Sequence, residues 1–141
     1  MAKKKEIKAD NYYIVKNWMP LELGLGGSKL LVYAFLYAYS ISENGNGCYY
    51  GGLEILSKVT GCTKKTAIST LAKLEEEKLI EKRKILLENG LERSYFRVLD
   101  DPLYEINLTM KSEDLSRDLE ILGSNYRKWN EITGGTDYRL F

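Results

Sequence analysis

The sequence has no histidine, only two cysteines and no long apolar run among its 141 residues. Without histidine the commonest general base is missing, as are the usual serine and cysteine nucleophile pairs and every imidazole metal site. Enzyme chemistry would fall to carboxylates, lysine or tyrosine. Cys48 and Cys62 are too few to complete a zinc centre, and no CxxC pair exists. A secreted disulfide framework is not expected either, because Met1-Ala2-Lys3-Lys4-Lys5 is followed by no apolar stretch of signal-peptide type. Reduced, buried cysteines in a cytoplasmic protein are the expectation. The longest apolar run, about Leu30 to Tyr39, falls far short of the ~20 residues that span a bilayer, so no membrane partner is expected. Neither a metal nor a cofactor is expected.

Charge of one sign is also lacking overall, since 21 basic residues face 20 acidic ones. That near-neutrality hides a dipolar chain. Residues 1–10 carry a net +2, residues 11–52 a net 0, residues 53–98 a net +3 and residues 99–141 a net −4. The middle is basic and the tail acidic.

Along the chain, residues 1–10 read as a solvated basic arm holding Lys3, Lys4 and Lys5. Tyr12-Tyr13-Ile14-Val15 is aromatic and β-branched and predicts a short strand. Pro20, Gly24, Gly26 and Gly27 predict a loop that ends at Ser28 as an N-cap. From Lys29 to about Ile41 the chain is apolar nearly all round, which suits a helix buried on several sides. Tyr33, Tyr37 and Tyr39 then belong to the core or to an interface. Glu43-Asn44-Gly45-Asn46-Gly47 predicts a turn, and Cys48-Tyr49-Tyr50 a short extended piece.

Leu53, Leu56 and Val59 have helical spacing, and the run stops at Thr60-Gly61. Thr63 reads as the N-cap of a second helix to about Lys78, with Ala67, Leu71 and Leu74 as its inward stripe. Gly61 permits a tight turn that sets the two helices at a steep angle. Thr63, Lys64, Lys65, Thr66, Ser69 and Lys73 are left on the other side, toward the N-terminal half of the helix. Lysine and hydroxyl side chains in that position suit phosphates and base edges. Asn89-Gly90 then lies between two β-prone runs, Leu79 to Leu86 and Glu92 to Val98, the strongest short-range hairpin signal in a sequence.

Gly61, Cys62, Thr63, Lys64, Lys65, Thr66, Ala67, Leu71, Leu74, Leu79 and Ile80, followed by the hairpin, resemble the winged helix-turn-helix family over about residues 48–98. The resemblance implies an α+β fold with a three-helix core and a β-hairpin wing. It makes Thr63 to Lys73 the recognition helix and Glu88-Asn89-Gly90 the wing tip. Ala67 stands where valine or isoleucine is usual, and no arginine lies on the recognition helix to fork onto guanine. More broadly, Tyr12-Tyr13-Ile14-Val15, Asn17-Trp18, the Leu/Tyr/Ala-rich helix and Tyr49-Tyr50-Gly51 are similar to N-terminal domains of plasmid and phage replication initiators.

Lys82 and Lys84 share one strand face, with Asn89 at the tip and Arg93 and Arg97 on the opposing strand; these suit phosphate contact by the wing or, equally, the protection of an edge strand. Glu75-Glu76-Glu77 fans out around the helix as a solvated end and forms no converging carboxylate site. Beyond Asp100-Asp101-Pro102 the polarity shifts, which predicts a boundary between a domain at 11–100 and an acidic extension at 101–141. Within the extension a helix is expected over residues 112–122, capped by Ser112 and stopped by Gly123, with a last short helix carrying Tyr126 and Trp129. Its apolar set, Leu115, Leu119, Leu122, Tyr126 and Trp129, must cover its own domain or a partner's.

These features imply a non-enzymatic protein that binds double-stranded DNA in a sequence-dependent way, as a replication initiator or mobile-element protein. The alternatives are a small transcriptional regulator and a winged helix serving as a protein-interaction module. A homodimer built on the aromatic helix or the tail is expected, with a replication or transcription partner on the extension.

Overall fold

The computed structural model describes residues 8–134, so the expected arm lysines Lys3, Lys4 and Lys5 lie outside the described residues. The first element, α1 (Trp18–Leu23), holds Pro20 in its first turn, where a backbone N–H would have no helical partner to lose. The loop expected across Pro20 is therefore a helix. Its successor α2 (Gly27–Ser40) starts ahead of Ser28, with Gly26 at the N-cap and no side-chain cap. Burial of the aromatic segment, not a capping hydroxyl, sets where α2 begins.

Tyr12-Tyr13-Ile14-Val15 forms no strand. Tyr13 is held instead by a hydrogen bond from its hydroxyl to the Val59 carbonyl (3.0 Å) and by edge-on packing against Phe35 at 5.5 Å between ring centres. Tertiary contacts override the local strand propensity there.

Next come α3 (Leu53–Thr60) and α4 (Lys64–Glu76). Between them Gly61 takes φ 71°, the left-handed region where a Cβ is strained, and ends α3 as the sequence predicts. The hairpin follows as β1 (Ile80–Leu86) and β2 (Glu92–Val98), antiparallel, in register from Ile80 opposite Val98 to Leu86 opposite Glu92. Tyr49 adds a one-residue third strand, exchanging backbone hydrogen bonds of 2.8 and 2.9 Å with Phe96. The short extended piece expected there thus ties the segment before α3 to the wing.

The chain then turns at Asp100 into α5 (Asp101–Met110) and α6 (Glu113–Thr133). Ser112 caps α6 as expected, accepting a hydrogen bond from the Leu115 amide at 3.1 Å. Gly123 does not stop it, and the expected last short helix is the second half of α6. The reason is the stripe Leu115, Leu119, Leu122, Trp129, all buried, which continues at helical spacing across Gly123. That burial outweighs the roughly 1 kcal/mol that an interior glycine costs relative to alanine.

One core unites these elements. Val32, Tyr33, Leu36 and Tyr37 of α2 pack with Leu56 of α3, Ala67, Leu71 and Leu74 of α4, and Ile80 and Val98 of the hairpin. Leu103, Leu115, Leu119 and Leu122 enter the same cluster. The apolar side of the acidic extension covers its own chain, and the shift in polarity at Asp100 reflects the outer surfaces of α5 and α6. A smaller cluster joins Cys48, Tyr95 and Trp129.

Polar ties lock α6 down. Asn125 donates to the carbonyls of Ser40 (2.8 Å) and Ser42 (3.0 Å), and Gly47, with φ 71°, lies so close that a Cβ there would stand 2.7 Å from that of Asn125. Glycine is required at position 47 on both counts. The Tyr37 hydroxyl donates to the Asp118 carboxylate, and Lys16 pairs with Asp114 at 2.6 Å. Among the described residues no helix is long and apolar enough to cross a membrane.

Candidate nucleic-acid interface

The candidate interface is built on α4. Its inner side is set by Ala67, Thr70, Leu71 and Leu74, all buried. The 3.6-residue period then turns Lys64, Lys65, Ile68, Ser69, Ala72 and Lys73 outward, and each is exposed. Thr63 is the N-cap as expected. Its hydroxyl oxygen accepts from the Thr66 amide at 3.1 Å and meets the Thr66 hydroxyl at 3.0 Å. Ser69 donates to the Thr66 carbonyl at 3.0 Å. These hydroxyls stabilise the first turns of the helix and keep lone pairs free on its outer side.

Lys64 and Lys65 stand in the first turn, which contains no acidic residue. Cations there oppose the positive end of the helix dipole, at a cost of about 0.3–1 kcal/mol each. Among the described residues Lys64, Lys65 and Lys73 make no ion pair, whereas Lys16, Lys29, Lys58, Lys84, Arg83 and Arg97 all do. Folding does not use these three charges. An anion at the start of α4 would relieve the first two.

The other end of α4 has the opposite character. Glu75 and Glu76 are exposed, and Glu77 pairs with Lys29 at 2.6 Å. The expected solvated end is thus in place, with one of its three carboxylates engaged.

The wing divides by face. Lys82 lies opposite Phe96 in the ladder, its ammonium 5.8 Å from the centre of that ring, and Lys84 lies opposite Ser94 and 3.8 Å from Glu92. Asn89 uses its side chain to accept from the Leu91 amide at 3.0 Å and so shapes the turn. Arg93 is exposed, with its guanidinium 5.5 Å from the Tyr50 ring. A groove of about 300 Å³ is shared by Ile68 and Ala72 of α4, Leu53 of α3, and Lys82, Arg93 and Phe96 of the wing. The helix α4 and the wing therefore frame one surface that Lys82 and Arg93 both line; by strand alternation Arg93, opposite Ile85, shares its face with Tyr95 and Arg97 and not with Lys82, and Lys84 and Asn89 do not line the groove.

Arg97, expected to suit phosphate contact, is turned inward. It is only 4% exposed, bonded to Glu81 at 3.1 Å and stacked over Tyr126 at 4.7 Å, so it is unavailable to phosphate. Arg83 beside it donates to Asn130 (2.7 Å) and Thr133 (2.9 Å) and lies over Trp129 at 4.8 Å. The outer face of the hairpin thus clamps α6, and the period-2 alternation separates these arginines from Lys82 and Lys84. Ile68 was missed by sequence reasoning, which took basic and hydroxyl side chains as its signal. Its place one residue after the inward Ala67, outside the apolar stripe, was the available clue.

Tyr49 is buried between Phe35 and Tyr39, each about 5.0 Å away between ring centres, which assigns it to packing. Burial pushes the Cys48 thiol up to about 11, and Cys62 is half-buried; both are free. No group of three or more His, Cys, Asp or Glu that could hold a metal occurs among the described residues.

None of the curated proteins compared matches the chain. Two solved structures are similar to it, each with a TM-score of 0.45. One, the crystal structure of a transcriptional regulator, is 17% identical and aligns over 82% of this chain and 70% of its own. The other, described as a possible transcriptional regulator from Methanosarcina mazei, is 16% identical and aligns over 92% of this chain and 90% of its own. Residues 23–80, from the end of α1 to the first residue of β1, match the family described as a helix-turn-helix domain. Residues 23–80 are therefore similar to a helix-turn-helix domain, and the hairpin and the C-terminal helices complete a winged, α+β fold.

Proposed function

We propose that this protein binds double-stranded DNA in a sequence-dependent manner, with α4 in the major groove and the wing beside it. The carrying observation is the set of exposed cations on the outer face of α4, Lys64, Lys65 and Lys73, which form no ion pair among the described residues. Lys82 and Arg93 extend that positive surface across the shared groove. The work is binding and not catalysis, since the interface offers no convergent acid, base or nucleophile. It serves site-dependent regulation, of transcription at an operator or of replication at an origin with repeated sites, and mapping the bound sites in the genome distinguishes the two.

A homodimer would suit paired half-sites. The core position of Tyr33 and Tyr37 removes most of the aromatic helix from consideration, and exposed Tyr104 and Leu108 on α5 supply the alternative surface. The test of DNA binding is fluorescence anisotropy with random and candidate operator or origin duplexes from low to physiological salt. Steep salt dependence is expected, and K64A/K65A should reduce the slope of log affinity against log salt by about 2. Absence of salt-sensitive binding to any duplex would overturn the proposal.

A further inference from the structure

The outer face of α4 contains one residue that lysine and hydroxyl chemistry does not explain. Ile68 is 54% exposed, on the second turn, between the cations of the first turn and Ser69. Ala72, one turn further on, is exposed as well, so a short apolar stripe runs along the helix beside its polar positions. The core is complete without them, since Ala67, Leu71 and Leu74 already seal the inner side. A β-branched side chain left more than half in water gives folding only part of what full burial would. Its stiff χ1 makes it a shape fixed in advance.

Charge fixes how deeply each part of α4 can enter a groove. Glu75 and Glu76 are exposed at its C-terminal end and would meet phosphates if the helix lay flat along DNA. Lys64 and Lys65 draw the other end in. The helix then enters by its N-terminus, and the second turn, with Ile68 and Ser69, comes nearest the base edges. In the major groove the one apolar feature of a base edge is the 5-methyl group of thymine. A forked guanidinium, the side chain best matched to guanine, is absent from α4.

We infer that Ile68, flanked by Ala72, reads thymine 5-methyl groups and is the specificity-determining residue of this interface. The inference rests on the DNA-binding reading above and adds the base feature recognised. Lys64 and Lys65 hold the phosphates and set the register, and Ile68 favours sites with thymine at a fixed position. A cytosine or uracil there presents no methyl to bury.

The test uses the full chain. Duplexes are selected from a random pool, and the enriched site is resynthesised with each thymine in turn replaced by uracil, which removes only the methyl. Anisotropy should show about fourfold weaker binding per contacted methyl, at one or two positions. I68A should bind thymine and uracil duplexes equally while keeping the wild-type salt slope, which also shows that it is folded. Three results would overturn the assignment while leaving DNA binding intact: salt-sensitive binding with no enriched site, uracil duplexes bound like thymine duplexes, or discrimination that survives I68A. Loss of all salt-sensitive binding by the wild type would instead remove the underlying reading.

Discussion

Two tyrosines one helical turn apart on α2 show how one residue type meets opposite demands. Both Tyr33 and Tyr37 are buried. The Tyr37 hydroxyl donates to Asp118, and burial together with that bond raises its pKa far above the ordinary phenol range. Among the described residues the Tyr33 hydroxyl meets no partner. Removing a bond to a carboxylate costs about 1.5–3 kcal/mol, whereas removing a buried unpaired hydroxyl costs nothing and can stabilise. Y37F is therefore expected to lower stability by about 2 kcal/mol, and Y33F to leave it unchanged or raise it by up to about 1 kcal/mol. Urea-unfolding midpoints at constant m-value check both. The sequence placed both rings in the core or an interface; which hydroxyl finds a carboxylate depends on α6, 81 residues beyond Tyr37.

The elements that sequence periodicity read correctly are those whose local signals agree with their burial. Over α3, α4 and the hairpin the cap, the apolar stripe, the turn glycine and the Asn-Gly tip all point one way. The misreadings fall where a strong local signal met a stronger distant one. Tyr12 to Val15 has strand composition but its Tyr13 is held by Val59 and Phe35, Pro20 is harmless in a first turn, and Gly123 is carried through by the buried Leu119 and Leu122 before it and Trp129 after it.

The wing adds a second lesson. Its arginines were legible as wing charge, but their direction was set by α6. The Arg83 guanidinium bridges Glu81, Asn130 and Thr133 and covers Trp129. Substitution R83A is expected to cost roughly 2 kcal/mol and to speed amide hydrogen exchange along β1 and β2. K84A, on the other face with an exposed partner, is expected to stay within about 0.5 kcal/mol of wild type.

For the molecule as a whole, the acidic tail contributes to stability through named pairs. The Lys16 ammonium beside Asp114 holds its carboxyl below the usual carboxylate range. A depressed folded-state pKa contributes stability above the unfolded value, and that contribution is lost as pH falls through the folded one. Asp114 is half-exposed, so solvent screening limits the contribution to at most about 1 kcal/mol. D114N should be slightly less stable than wild type at neutral pH, and the difference should close as the pH is lowered through the carboxylate range. Urea midpoints of the two proteins across that range measure it.

The net charge that looked uninformative is a division of labour: a basic outer face on α4 and the wing, and acidic outer surfaces on helices that seal the core from behind. The amino-acid sequence by itself determined the helix-turn-helix, the hairpin and the exposed lysines of α4, because helical spacing, capping and turn chemistry are local properties of neighbouring residues. Tertiary structure alone decided that the tail shares the core, that Arg83 and Arg97 clamp α6 and do not face solvent, and that Ile68 stands outside the core on the groove shared with the wing. Those outcomes depend on which surfaces meet across the fold, and only packing chooses among surfaces of similar local character.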